Sequence, residues 1–209
     1  MIALIDYGMG NLHSVAKALE KAGGKVVLVK RPEELAQASR IVLPGVGAFR
    51  DCIGALKESG MDAAIVDFIT SGKPFLGICL GMQVLMDVSY EFGQHKGLGL
   101  IAGAVKKFPD SHPQRGFKIP HMGWNDVVLA SGSTPHPVVA PLAGKQVYYV
   151  HSYYCAPTNP SDILAACSYG EYPFAAAIGR DNFIGVQFHP EKSQKAGHDL
   201  LEAFLKWKP

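Results

Sequence analysis

PFLGICLGMQ, residues 74–83, runs four apolar positions straight into a cysteine that has a glycine two residues to either side. A short, continuous apolar run closed by turn-forming residues reads as a buried strand that breaks sharply into the next element. The same alternation precedes it. Residues 2–5 read as a buried strand, and 26–29 and 41–43 as a second and a third strand. Between them lie an amphipathic helix over 12–22, stopped by Gly23-Gly24, a short helix opening at Pro32, and helices over about 48–57 and 61–70. The spacing predicts a further helix beginning over 82–88. Continuous apolar strands separated by helices imply a parallel sheet covered on both faces, and right-handed crossovers make it doubly wound.

Past residue 100 the pattern changes. Residues 105–108, 124–129, 147–150, 163–168, 174–178 and 183–187 read as strands joined by turns rich in Pro, Gly and Ser, and a last helix runs over about 193–207. The expected fold class is therefore α/β: a doubly wound, mostly parallel sheet flanked by helices, with additional antiparallel strands in the C-terminal half. At 209 residues, 48% of them hydrophobic, the chain suits one well-buried domain over 1–209 and is short for two.

Composition narrows the function. A net charge of +2 with both signs interspersed gives no nucleic-acid footprint. No apolar stretch approaches the ~18–20 residues of a membrane span, and MIALIDYG lacks the basic start and long apolar run of an export signal. Cys52, Cys79, Cys155 and Cys167 show no metal-ligand spacing, so no metal or cofactor is expected and free thiols in a reducing cytoplasm are.

Cys79 stands at the carboxyl end of a strand, where open α/β sheets place their ligands. Gly77-Ile-Cys79-Leu-Gly81 has the spacing of the nucleophile elbow G-x-S-x-G, with sulfur replacing the hydroxyl. The flanking glycines relieve crowding at such a turn, and the N–H groups of the following helix favour thiolate. A buried structural cysteine is the competing reading, and a partner base has to decide between them. Among eight histidines, His13, His95, His112, His136 and His198 sit in surface-like contexts, whereas His121 and His151 are either packed or site-lining. His189 ends a strand and leads His189-Pro190-Glu191. In extended chain, residues two apart point the same way, so Glu191 is placed to hold one ring nitrogen and leave the other to take a thiol proton.

GICLGMQ together with GVQFHPE resembles the class I, triad-type glutamine amidotransferases. Their catalytic set implies Cys79, His189 and Glu191 here. Three further segments, IDYGMGNLHSV (5–15), LPGVGAF (43–49) and PHMGWN (120–125), with HSYY (151–154), are similar to the glutaminase-subunit family of imidazole glycerol phosphate synthases. That resemblance implies several further roles. It makes PGVG an oxyanion loop, with Val46 or Gly47 joining Leu80. It lines a glutamine pocket with Gln83, Glu91, Ser152 and Tyr153, where Glu91 would receive the α-ammonium. It makes Asn11, His121, Met122, Trp124 and Asn125 a docking surface for a cyclase subunit, a (β/α)8 barrel that receives the ammonia. Read without the resemblance, DYGMGN is a glycine turn short of a dinucleotide fingerprint, and PHMGWN is a loop whose Trp124 caps the core. The alternatives are a glutaminase serving another acceptor, such as that of pyridoxal phosphate synthesis, a non-catalytic binding subunit with a silent triad, and a thiol-based redox or protease-like α/β protein.

Overall fold

The computed structural model describes residues 1–131 and 134–209. In chain order the elements are β1 (Ile2–Ile5), α1 (Leu12–Lys21), β2 (Val26–Val29), β3 (Arg40–Gly45), α2 (Phe49–Glu58), α3 (Met61–Thr70), β4 (Phe75–Cys79) and the single turn α4 (Leu80–Gln83). There follow β5 (Met86–Ser89), β6 (His95–Lys96), β7 (Ile101–Lys107), β8 (His121–Asp126), β9 (Val128–Leu129), β10 (Gln146–His151) and β11 (Tyr153–Pro157). The chain ends with β12 (Ile163–Tyr169), β13 (Tyr172–Arg180), β14 (Phe183–Val186) and α5 (Gln194–Lys206).

The main sheet has the order β2-β1-β3-β4-β14-β13-β12-β9. Pairing is parallel from β2 to β14 and antiparallel from β14 through β9. Alternate strand residues feed two cores. Leu4, Val42, Leu76 and Ile78 meet Val15 and Leu19 of α1 and Leu200 and Phe204 of α5. Ile5, Ile41, Leu43 and Phe75 meet Phe49 and Leu56 of α2 and Ile65 of α3. That is the double cover expected of buried parallel strands. The strands β10-β8 and β11-β7-β5-β6 form two smaller sheets. Among the described residues no helix is long and apolar enough to cross a membrane.

The expected helix over 82–88 is not formed. After one turn the chain enters β5, which pairs with β7 and β6. Residues 80–86 are buried throughout, so this apolar run has no polar face to mark a helical period, and periodicity alone cannot separate helix from strand there. PHMGWN is likewise not a loop: 121–126 form β8, paired with β10. His112, expected at the surface, is buried among Phe108, Phe117, Tyr169 and Tyr172.

Candidate active site

Cys79 ends β4 with φ 54° and ψ −106°, a left-handed backbone for a side-chain-bearing residue. Such strain persists only where the surroundings impose it. Here they do. A Cβ on Gly77 would lie 2.3 Å from the Gly81 carbonyl oxygen, and one on Gly81 would lie 1.9 Å from that of Leu43. The elbow is wedged between β3 and β4, and only glycine fits at either shoulder. Because α4 is one turn long, a whole-helix dipole contributes little. What remains is local: the Leu80 N–H heads the turn with no partner inside it.

β14 pairs with β4 in parallel register, Val186 beside Ile78. The continuation of β14 therefore carries Gln187, Phe188 and His189 past Cys79. His189 is held by its backbone, its N–H donating to the Tyr148 carbonyl at 3.0 Å while its own carbonyl accepts from Ser193 Oγ at 2.7 Å. Its Nδ1 contacts Glu191 Oε1 at 2.8 Å, and both side chains are almost fully buried. The connection is not the extended chain that the sequence suggested. Residues 190–192 form a 3-10 turn that folds the carboxylate back under the ring. Burial alone would lower the His189 pKa, but contact with Cys79 and Glu191 outweighs it and pushes the ring up to about 10. The carboxylate thus stabilises the charged ring through Nδ1, and Nε2, buried without a hydrogen-bond partner among the described residues, is the nitrogen left to exchange a proton at the site.

Cys79 and His189 open on a cavity of about 360 Å³ whose wall includes Val46, Gly47, Leu80, Gln83 and Glu91. Ser152, Tyr153, Val150, His151 and Pro120 complete it. Every residue expected to form the oxyanion loop or the glutamine pocket thus lines one space with the sulfur. Gly47, at φ 98°, occupies a conformation that side-chain-bearing residues rarely adopt. Glu91 is already half committed: its Oε2 accepts from the Phe49 N–H at 2.6 Å, capping α2. Gln83 is buried and donates through Nε2 to the Tyr153 carbonyl and to Gln187 Oε1, each at 3.1 Å.

The five residues expected to dock a partner separate. β8 alternates, with Met122 and Trp124 exposed at 60% and 41% while His121 is buried. Trp124 stands edge-on to Tyr148, whose ring carries Lys192 above it. His121 cannot form surface, because strand alternation turns it inward to bond His151 and Asn125. Asn11 is exposed, and its Oδ1 accepts from the Ser14 N–H as the cap of α1. Two residues at the sulfur escaped sequence reasoning. Gln187, buried, donates to Cys79 Sγ at 3.7 Å. Tyr7 is held protonated by burial and by Cys52 and Cys79 nearby. For Gln187 the available signal was an amide inside the otherwise apolar run FIGVQF.

Residues 3–207 match the family model described as glutamine amidotransferase class-I. The chain is 48% identical over 207 residues to the imidazole glycerol phosphate synthase subunit HisH of Syntrophotalea carbinolica, covering 98% of each chain. It is 50% identical over 208 residues to the HisH subunit of Desulfitobacterium hafniense, covering 99% of this chain and 94% of that one. A solved structure titled as PurLQS from Thermotoga maritima aligns with a TM-score of 0.76 at 19% identity, covering 98% of this chain and 97% of that one, and shares the fold. With nearly its whole length so matched, the chain belongs to the class-I glutamine amidotransferase family and, within it, to the family of HisH subunits of imidazole glycerol phosphate synthase.

Proposed function

We infer that this chain is the glutaminase subunit of an imidazole glycerol phosphate synthase, hydrolysing L-glutamine and passing ammonia to a cyclase subunit in histidine biosynthesis. The observation that carries the reading is the single cavity shared by Cys79, His189, Val46, Gly47, Leu80, Gln83, Glu91, Ser152 and Tyr153. Residues 1–209 act as one amidotransferase domain in the cytoplasm, with no cofactor.

In this mechanism the Cys79 sulfur lone pair bonds to the side-chain amide carbon of glutamine, and the carbonyl π pair moves onto oxygen. Donation to that oxyanion falls to the Leu80 N–H and to the Val46–Gly47 segment, where one donor is worth ~3–4 kcal/mol of barrier. Collapse breaks the C–N bond, and His189 gives its proton to the leaving nitrogen, releasing ammonia. Water then adds to the thioester, losing a proton to His189, and the C–S bond breaks with its electrons returning to sulfur. Glutamate leaves and the imidazolium–thiolate pair is restored. Glu191 keeps the ring oriented throughout. The free oxygen of Glu91 and the Tyr153 segment receive the α-ammonium end of the substrate.

Ammonia that reached solvent would be protonated and lost to the second reaction. Direct handover to the (β/α)8-barrel cyclase is therefore part of the proposal, with exposed Met122 and Trp124 as the anchors. That barrel would make imidazole glycerol phosphate and aminoimidazole-carboxamide ribotide. The test is glutamine hydrolysis by the full chain with its cyclase and the cyclase's nucleotide substrate. Cys79→Ala is expected to lose about 10³-fold or more of the rate with its fold intact; hydrolysis at the parental rate would end the assignment.

A further inference from the structure

Gln187 is fully buried where β14 runs out, two residues before His189. A buried primary amide has two N–H donors and one carbonyl acceptor, and which of them faces a given neighbour is decided by what that neighbour can do. Here every neighbour is decided. The Tyr153 carbonyl can only accept, so Gln83 presents Nε2 to it, and the same Nε2 then donates to Gln187 Oε1. That turns the Gln187 NH2 toward Cys79 Sγ, 3.7 Å away.

The Tyr153 carbonyl is pinned from its other side as well. It accepts from His151 Nδ1 at 2.8 Å, which leaves His151 Nε2 to accept from His121 Nδ1 at 2.9 Å. His121 Nε2 in turn accepts from Asn125 Nδ2 at 2.6 Å. This order requires both rings to be neutral. Burial pulls them there, His121 to about 4 and His151 to about 3. One unbroken line of hydrogen bonds thus runs from Asn125 on β8 to the Tyr153 carbonyl, and from it through Gln83 and Gln187 to the sulfur.

We propose that Gln187 is a catalytic residue of this site, its Nε2–H donating to the Cys79 thiolate, with Gln83 as the positioning residue that keeps that amide turned toward sulfur. The assignment rests on reading Cys79 as the nucleophile. Donation to a charged acceptor is stronger than to a neutral one, so it favours thiolate in the free enzyme. It is weakened in the thioester and regained as sulfur leaves. It also occupies one side of the sulfur and directs the remaining lone pairs into the cavity.

Carbamidomethylation of Cys79 by iodoacetamide, followed by peptide mass spectrometry across the thiol titration range, reads this bond directly. Among the described residues, the other titratable groups around the sulfur and its cavity are Tyr7 after β1, Cys52 of α2, Glu91 after β5, His151 of β10, Tyr153 and Cys155 of β11 and His189 after β14, and all are unchanged in the variants. In the full chain, Gln187→Met is expected to raise the alkylation midpoint by about one pH unit. It should also lower kcat for glutamine hydrolysis about tenfold with KM little changed. Gln187→Glu keeps the length and the acceptor for Gln83 but aims a carboxylate oxygen at sulfur, so its midpoint should rise further still. A merely structural Gln187 predicts the reverse order, with Gln187→Glu the milder variant. A Gln187→Met protein that melts normally and alkylates with the parental midpoint would overturn the proposal. The alkylation readout holds whatever the substrate is, whereas undiminished glutamine hydrolysis by Cys79→Ala would instead remove the functional reading beneath it.

Discussion

At the residue scale, the chemistry depends on shoulders that carry no functional group. Gly81 admits no side chain because the Leu43 carbonyl occupies the space a Cβ would need. Gly81→Ala should therefore destabilise the fold by about 3 kcal/mol, the scale of a forced backbone shift in a packed core, which urea unfolding would measure. Glu191 acts differently. It touches His189 and sits behind the ring, so Glu191→Gln should lower kcat about 10²–10⁴-fold while leaving KM for glutamine nearly unchanged; an equal rise in KM in steady-state assays would place Glu191 against the substrate instead. Both glycines and the His189-Glu191 pair were readable in the sequence, because elbow spacing and a short-range motif are local patterns. Glu91 was only half readable. Its use as a cap for α2 depends on where β5 and the following turn are packed.

At the element scale, β8 shows how one strand serves two surfaces. Its outward residues Met122 and Trp124 are exposed, while His121 joins the buried histidine line. The two rings in that line have pKa values depressed well below the free value near 6.5. In the unfolded chain they bind protons as pH falls through 6.5; in the folded chain they do not until about 4 and below. Their contribution to stability is thus present above 6.5 and lost as pH falls toward 4. The urea midpoint should drop between about pH 7 and about pH 5, and His121→Gln, which keeps a hydrogen-bonding side chain but does not titrate there, should drop less. An identical fall in the two proteins would show that His121 carries none of the acid sensitivity. Sequence patterning failed on β5 and β8 for opposite reasons: the run 80–86 that leads into β5 is buried throughout and shows no period, whereas β8 is punctuated by Pro, Gly and Asn and looks like a loop.

At the scale of the whole molecule, Trp124 and Met122 form an exposed apolar pair on β8, and the proposed docking of a cyclase there is open to a direct test. Trp124→Ala should weaken association with the cyclase about 30- to 1,000-fold, as loss of a central aromatic anchor does. Iodoacetamide alkylation of Cys79 in the separate chain should stay at its parental rate, since Trp124 does not line the cavity. Titration calorimetry with the purified barrel checks the first expectation, and an unchanged affinity would remove Trp124 from the interface. The sequence alone determined the strand–helix alternation, the two-faced burial of β1, β3 and β4 and the elbow at Cys79, because each is set by neighbours a few residues away; β2, equally apolar, is instead the sheet edge, with Val27 and Leu28 exposed. It could not decide that β14 would lie against β4. That pairing closes a crossover of about a hundred residues through three sheets. Only the tertiary register it creates brings Gln187 and His189 to the sulfur, because the energy that selects it is the shared burial of both faces of the sheet and is written in no single segment.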